Sequence, residues 1–398
     1  MFLENNCTMI KVVNIIGARP QFIKYFSISN AIKQFNKENN LIENILVHTG
    51  QHYDYCMSKV FFDELGIKEP DYHLDVGSGS HGEQTGRIIQ KVEEVLLKIN
   101  PDIVLVYGDT NSTLGGALAA AKLKIPVAHI EAGLRSFNKN MPEEINRVLT
   151  DHVSTILFCP TENAVKNLTN EGFKNVFNNG KLVPSDHFHH DVKKNFLYAN
   201  RNKPIVINVG DVMYDVLKLS LKIAEKRSKI LETLRLDSKR YNLLTIHRSE
   251  NTNFKKNFEK IVNFVNGASR EDIVIFPMHP GTEKIYKITN KKFSENIKII
   301  NPVGYFDMLI LLRNCKLVMT DSGGMQKEAF LLKVPCITLR DETEWIETVK
   351  SGWNVLFKNY QGIHKKSNMS KKYFGDGKAA ERIIKILLEW NAIKTKVI

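Results

Sequence analysis

Carboxylates and a histidine stand in this sequence where apolar runs stop. Asp109 follows Ile103–Tyr107 in VYGDT, and Glu131 follows Val127–Ile130 in HIEAGLRS. Glu143 lies in MPEEINR, and His247 stands directly before Arg248 in TIHRSEN. In a parallel sheet the loops that follow strands face the ligand crevice. A carboxylate at such a strand end is costly unless it is paired or used. Histidine is the side chain most easily poised near neutral pH. Together these residues point to acid/base chemistry. Each also has a structural alternative. Asp109 or Asn111 could cap the helix that follows. Glu131 could pair with Arg135, and Glu143 or Glu144 could favour the positive end of a helix.

A second group of residues suits an anion. GARPQFIK places Arg19 and Lys24 at a helix start behind Gly17, which permits a tight turn. TDSGGMQKEA joins a strand to a helix through Ser322, Gly323 and Gly324, whose backbone N–H groups would cradle phosphate. Glu328 falls one to two turns into that helix, where it could accept hydrogen bonds from ribose hydroxyls. His279 in HPGTEK and Arg340 in RDETEWIE add polar groups at further strand ends. The GxGxxG fingerprint of dinucleotide binding is absent, which argues against a nicotinamide cofactor.

Alternating strands and helices must position these loops. Strand-like runs at Val12–Ile16, Ile45–His48, Ile103–Tyr107, Val127–Ile130 and Ile156–Cys159 are separated by helical stretches. The first helix runs from Pro20 through Phe35, another spans Ser112–Lys122, and Thr161 caps one reaching Glu171. The pattern restarts at Tyr241–Ile246, Ile273–Pro277, Ile297–Ile300, Leu317–Thr320 and Pro335–Thr338. The expected fold is α/β: two doubly wound, Rossmann-like domains with a cleft between them. The expected limits are 1–205 for the first domain, 206–376 for the second, and 377–398 for a C-terminal helix that could return to the first. Asn178–Pro204 interrupts the pattern as a polar, basic insert. Its His187, His189 and His190, near Asp186 and Asp191, match no standard metal spacing, so a solvated loop is the favoured reading.

Composition limits the function classes. The chain has 398 residues, of which 43% are hydrophobic, ordinary values for a two-domain globular protein. No apolar run approaches the roughly 20 residues of a membrane helix, and the first residues do not read as a secretion signal. A cytoplasmic protein is expected. The five cysteines are scattered, without a C-x-x-C pair, so neither a disulfide framework nor a zinc site is expected. The net charge of +13 comes from dispersed lysines, which favours a solvated surface over a nucleic-acid interface.

Taken together, the segments GARPQFIK, HTGQHYD, HGEQTGR, VYGDTNSTLGGALAA, HIEAGLRS, MPEEINR, HRSEN, HP, TDSGGMQKEA, RDETE and GDG resemble the non-hydrolysing UDP-N-acetylglucosamine 2-epimerase family, in that family's order. The resemblance covers nearly the whole chain from Lys11. It implies the two-domain glycosyltransferase-B-like architecture and an interconversion of UDP-N-acetylglucosamine and UDP-N-acetylmannosamine, for surface polysaccharide precursors. UDP would leave carbon 1 as the carbon 2 proton is removed, then add back as a proton returns on the opposite face. By motif, Asp109, Glu131, Glu143 and His247 would be the acid/base residues. Arg19, His279, Ser322, Gly323, Gly324 and Glu328 would contact the nucleotide, with Lys24 and Arg340 near the phosphates. Gln51, His52 and Arg87 match motifs near a regulatory UDP-sugar site. The resemblance implies no cofactor and no metal, a UDP-sugar as the bound partner, a homodimer, and neither nucleic-acid binding nor membrane insertion. Which carboxylate serves which face stays open.

The chain departs from the commonest family pattern. GARPQ stands for GTRPE, HRSEN for HRREN, TEWIE for TERPE, and the SFNKNMPEE loop is unusual. These variants look like the branch acting on UDP-2,3-diacetamido-2,3-dideoxyglucuronic acid. A sugar transferase of the same architecture would share the nucleotide loops but would need an acceptor site.

Overall fold

The computed structural model describes residues 9–51, 66–184, 202–270, 272–343, 345–362 and 373–397. The chain forms two compact units, Met1–Val216 with Lys372–Ile398, and Leu217–Lys371.

The first unit is built on seven parallel strands: β1 (Ile10–Ile16), β2 (Ile42–His48), β3 (Tyr72–His73), β4 (Ile103–Tyr107), β5 (Val127–Ile130), β6 (Ile156–Cys159) and β7 (Ile205–Asn208). Their spatial order is β3-β2-β1-β4-β5-β6-β7. The inner strands are buried on both faces, which explains why they read as continuous Val/Ile/Leu runs and not as alternating ones. Helices α1 (Arg19–Asn39), α2 (His81–Ile99), α3 (Asn111–Lys122), α4 (Pro142–Val153) and α5 (Glu162–Asn170) cover the sheet. Val13, Ile15, Val104 and Val106 pack with Ile88 and Val92 of α2 and Ala117 and Ala120 of α3 in one core.

The second unit repeats the plan with β8 (Tyr241–Thr245), β9 (Ile273–Pro277), β10 (Ile297–Ile300), β11 (Leu317–Thr320), β12 (Cys336–Thr338) and β13 (Asn354–Leu356) in the order β10-β9-β8-β11-β12-β13. Both sheets follow the doubly wound 3-2-1-4-5-6 order. In such sheets ligands bind where the order reverses, at the C-terminal ends of the first and fourth strands. That point lies between β1 and β4 in the first unit and between β8 and β11 in the second. Two Rossmann-like units in one chain place the protein in the glycosyltransferase-B-like fold class.

Local sequence explains how the first switch point is held. Pro20 fits the first turn of α1, where its missing N–H costs nothing. The N-cap residue is Ala18, which has no acceptor side chain. Gln21 substitutes for it: its Oε1 accepts the N–H groups of Gly17 and Ala18 at 2.8 and 3.0 Å. Its Nε2 donates to the Tyr107 carbonyl at 2.9 Å and to Thr113 Oγ1 at 3.0 Å. One buried amide therefore joins the loop after β1 to the loop after β4. Gly17 is needed for space and not for its expected turn conformation, since its φ is not positive and a Cβ would overlap Thr49 and Ser112.

The limit between the two units falls later than 205. Strand β7, placed at the start of the second domain, pairs with β6 from Ile156↔Ile205 to Cys159↔Asn208, so the first unit continues to Val216. The last helix, α11 below, belongs to that unit as well. Of the 178–204 insert, Asn178 and Asn179 adopt left-handed backbone in a 3-10 turn, Phe177–Gly180. The Val183 N–H bonds the Asn208 carbonyl at 3.0 Å. Residues 185–201, with the three histidines, lie outside the described residues, as do Cys7 and Cys56. Cys159, Cys315 and Cys336 are buried free thiols.

Helix α6 (Val212–Arg227) follows β7. The second sheet is covered by α7 (Lys255–Ala268), α8 (Pro280–Ile288), α9 (Tyr305–Asn314) and α10 (Gly323–Leu331). The C-terminal helix α11 (Ala379–Val397) packs against α1. Asp215 of α6 caps it, accepting the N–H groups of Ala379 and Ala380 at 3.1 and 3.0 Å. Among the described residues no helix is long and apolar enough to cross a membrane.

Candidate active site

In the first unit the candidate residues meet at the switch point. Lys24 comes from the second turn of α1 and forms an ion pair with Glu131, just past β5. Both side chains are about a tenth exposed. Burial alone would lower the Lys24 pKa, but Glu131, and after it Asp109, outweigh that and raise it above its ordinary value. The ammonium is thus fixed in its charged form beside two carboxylates. Glu131 has φ +78°, a left-handed conformation that costs a residue with a Cβ about 1–3 kcal/mol. It emerges from a turn held by the bonds of its own N–H and that of Ala132 to the Phe158 carbonyl, both 3.1 Å.

Asp109 does not cap α3; Thr110 does, accepting the Thr113 N–H. Asp109 is instead paired with Arg147 of α4. Arg147 also reaches Glu144 at 2.5 Å. Asn146, next to it, donates to the Asp109 carbonyl at 3.0 Å and to Asn111 Oδ1 at 3.1 Å. Helix α4 therefore grips the loop after β4 through two adjacent side chains. Of the two glutamates that open α4, Glu144 is buried and structural: it accepts Ser136 N–H and Oγ–H at 2.9 Å and Phe137 N–H at 3.0 Å. Glu143 is exposed. The Glu131–Arg135 pair does not form. Arg135 bonds Asp151 at 2.7 Å and Glu171 at 2.6 Å, both away from Glu131.

In the second unit the switch point brings together the loops after β8 and β11. His247 is nearly half exposed, and its backbone is held by the fully buried Asp321. Ser322 caps α10, accepting the Met325 N–H at 3.4 Å. Gly323 and Gly324 form the first residues of that helix. Among the described residues, a Cβ on Gly324 would meet nothing nearer than Ser322 Oγ at 3.9 Å. Glu328, half-buried, accepts the Tyr305 hydroxyl at 3.1 Å. His279 is exposed and caps α8 through Gly281 N–H at 3.1 Å. Arg340 is half-buried just past β12.

Arg19 is the first residue of α1. Gln51 Oε1 accepts Ser112 N–H at 2.9 Å and its Oγ–H at 2.6 Å. Gln84 bridges the Gln51 and Gly77 carbonyls, and Arg87 donates to the Val76 carbonyl at 3.2 Å, so Gln51 and Arg87 share one corner of the first unit. His52 lies outside the described residues. Among the described residues no group of His, Cys, Asp or Glu has the arrangement of a metal site.

Three residues of this geometry were not singled out from sequence: Arg147, Asp151 and Asp321. Arg147 lay in the MPEEINR segment, where the acids drew attention away from the base that organises them. Asp321 precedes the Ser-Gly-Gly cradle and was overshadowed by it. Asp151 stands in the last turn of α4, in DHVS, and carries no local signal.

A family model described as UDP-N-acetylglucosamine 2-epimerase matches residues 33–195 and 187–388. The chain is 49% identical over 392 residues to the UDP-N-acetylglucosamine 2-epimerase homolog of Methanococcus maripaludis, covering 95% of this chain and 99% of the relative. It is 47% identical over 348 residues to the UDP-2,3-diacetamido-2,3-dideoxy-D-glucuronate 2-epimerase of Pseudomonas aeruginosa, covering 87% and 88%. The crystal structure of Methanocaldococcus jannaschii UDP-GlcNAc 2-epimerase in complex with UDP-GlcNAc and UDP is 43% identical, superposes with a TM-score of 0.74, and is matched over 95% of this chain and 99% of that one.

Proposed function

Because the chain belongs to the UDP-N-acetylglucosamine 2-epimerase family, we propose that it interconverts UDP-N-acetylglucosamine and UDP-N-acetylmannosamine by eliminating and re-adding UDP. One observation carries the reading: a buried lysine clamps Glu131 beside Asp109, at the strand ends where this sheet order places a ligand.

The chemistry accounts for such a cluster. The carbon 2 proton of the sugar is barely acidic. Its removal must accompany cleavage of the carbon 1–oxygen bond, so that the C–H electron pair becomes the C1=C2 double bond and UDP leaves with the electrons of the broken bond. The reverse step adds UDP to carbon 1 while a proton reaches carbon 2 from the other face. Two acid/base groups are needed, one per face, from among Asp109, Glu131, Glu143 and His247. The leaving pyrophosphate needs donors that are already oriented. Arg19, His279, Arg340 and the Ser322–Gly323–Gly324 helix start fill that role, with Glu328 on the ribose. Lys24 lays a fixed positive charge beside Glu131, the carboxylate offered as a proton acceptor. No step requires a cofactor or a metal.

The reading extends to a cytoplasmic homodimer that supplies surface polysaccharide precursors, with Gln51, His52 and Arg87 near a second UDP-sugar. The homodimer is supported by Met141, Ile145 and Leu149, an exposed apolar stripe at i, i+4 and i+8 at the start and along α4.

A second substrate has its own support. Trp345 replaces the arginine of the common TERPE motif, and Lys327 lies over its ring at 4.2 Å. With the 47% identity to the Pseudomonas enzyme, this favours trying the diacetamido uronic acid sugar nucleotide as well. Proton NMR in heavy water with each UDP-sugar and no acceptor decides. The expected result is deuterium at carbon 2 and appearance of the epimer with one of them. Absence of both signals with both sugars would defeat the proposal, and release of free sugar would indicate a hydrolysing enzyme.

A further inference from the structure

We propose that His129 is a positioning residue for this reaction: a doubly protonated imidazolium that ties the Gly108 carbonyl to the Asp151 carboxylate and so aims both Asp109 and Glu131. The proposal rests on the reading of those two acids as proton-transfer groups.

His129 is the third residue of β5 and is fully buried. Its Nε2 lies 2.7 Å from the Gly108 carbonyl oxygen. A carbonyl can only accept, so Nε2 carries a proton. Its Nδ1 lies 2.6 Å from Asp151 Oδ1. Asp151 has no proton to offer in return. Its second oxygen already accepts Arg135 at 2.7 Å and the Gly133 N–H at 3.1 Å. Arg135 is in turn held by both oxygens of Glu171, at 2.6 and 2.7 Å. Nδ1 is therefore a donor too, and the ring is positively charged.

A buried ion pair is a poor way to add stability, because removing two charges from water consumes most of their attraction. Apolar side chains would serve an interior strand position such as 129 as well. What the pair adds is geometry. The Gly108 carbonyl belongs to the same peptide plane as the Asp109 N–H, and the Gly108 N–H is bonded to the Ile130 carbonyl at 3.0 Å. With the carbonyl pinned by His129, the direction in which Asp109 leaves β4 is fixed. On the other side, Asp151 takes His129 on one oxygen and Gly133 on the other. These two residues flank Glu131, whose left-handed turn is thereby bracketed. Gly133, at φ +78°, cannot be replaced without strain, and a Cβ there would strike the Ala164 carbonyl. The charged ring sets the relative placement of two acid/base groups on adjacent strands and touches no substrate itself.

Two measurements test this. In enzyme labelled with 15N-histidine at pH 7.5, one of the 12 histidines should show both ring nitrogens protonated and exchanging slowly, and His129→Asn should remove that signal. A neutral ring at His129 would overturn the proposal. In kinetics, His129→Asn should lower kcat and carbon 2 exchange by about 10²-fold, the scale of a misplaced catalytic group, with KM and UDP affinity within twofold of wild type. A purely structural role would lower the melting temperature and leave kcat per folded molecule unchanged, which also overturns it. If His129→Asn does not fold, Asp151→Asn provides the same comparison, since it keeps the shape and weakens the hold on the ring. Glu131→Gln is the control. If it retains exchange, the acid/base reading fails and this inference with it. If it loses exchange while folded His129→Asn keeps wild-type kcat, this inference alone fails.

Discussion

Asp321 accepts the backbone N–H of His247 on both of its carboxylate oxygens, each at 3.1 Å. It also takes Arg248 N–H at 3.0 Å and Asn251 Nδ2 at 2.9 Å, with no exposure to solvent. Asp321→Ala would leave these buried donors unmet and should cost roughly 3 kcal/mol or more of unfolding free energy. Asp321→Asn keeps one acceptor but turns an N–H group toward the His247 loop. It should cost less stability and lower kcat about tenfold, through a displaced His247. Urea midpoints and kcat for the two variants separate the effects; unchanged turnover in a folded Asp321→Asn enzyme would show that the His247 loop needs no such anchor.

Lys24 and Glu131 neutralise each other in a nearly dry site. Lys24→Met takes away the positive charge that Lys24 holds against Glu131 in a nearly dry site, and a buried carboxyl that loses such a charge is driven toward its protonated form. The acid limb of the pH profile of kcat/KM should then move upward, so that activity is lost first at low pH. Lys24→Arg keeps the charge and should shift the limb little. Rates from pH 5 to 9 for wild type and both variants check this. An acid limb that stays in place in Lys24→Met would mean that Glu131 is not the group titrating there.

Much of this arrangement was legible in the chain, and the reasons are local. Ile103–Tyr107, Val127–Ile130 and Ile156–Cys159 are short apolar runs closed by turn residues, and each is a strand over those same residues. Acids just beyond such runs draw notice because burying a carboxylate is costly unless it is paired or used. Tyr72–His73 and Asn354–Leu356 carry too few residues to show any period, and β7 was concealed behind the polar insert. Helix α1 runs past Phe35 to Asn39, where Asn40 ends it in a left-handed cap, since its last turn is polar and solvent-facing. The partners of the acids were not legible. Lys24 and Glu131 are 107 residues apart, and Asp321 and His247 are 74 apart. Those meetings depend on the sheet order, in which the first and fourth strands lie side by side, and no local pattern encodes it. Capping by Thr110 instead of Asp109 turned on a single residue of register.

Gly17 sits where the loops after β1, β2 and β4 converge. Thr49 Oγ1 and Ser112 Oγ are bonded at 2.8 Å in the space that a side chain at 17 would occupy. Gly17→Ala must break that bond or push α3 away, an overpacking cost of about 1–3 kcal/mol. Because Ser112 also anchors Gln51, and Gln21 ties the same loop to Tyr107, the variant should lose activity out of proportion to stability. Thermal unfolding together with kcat/KM checks it. Wild-type values for both would mean that the two hydroxyls separate freely.

Asp215 gives a pH dependence of stability with a definite sign. Burial pushes its carboxyl up to about 6 from the usual 3.8, against the lowering effect of the Ala380 and Ala379 N–H bonds. A group whose folded pKa is raised binds its proton more tightly in the folded state than in the unfolded one. Between those two values the folded protein therefore carries the extra proton, and stability falls as pH rises through the window. The full effect is about 3 kcal/mol, complete above pH 6. The cap on α11 is thus made by a carboxylate that this site would prefer to keep protonated. Asp215→Asn removes the titration and keeps one acceptor for the two N–H groups. Urea unfolding at steps from about pH 4 to pH 8 should show wild type losing stability relative to Asp215→Asn across the window, then running parallel to it. A constant difference at every pH would show that Asp215 ionises in the folded protein as readily as in the unfolded chain, and that α11 is capped at no electrostatic cost.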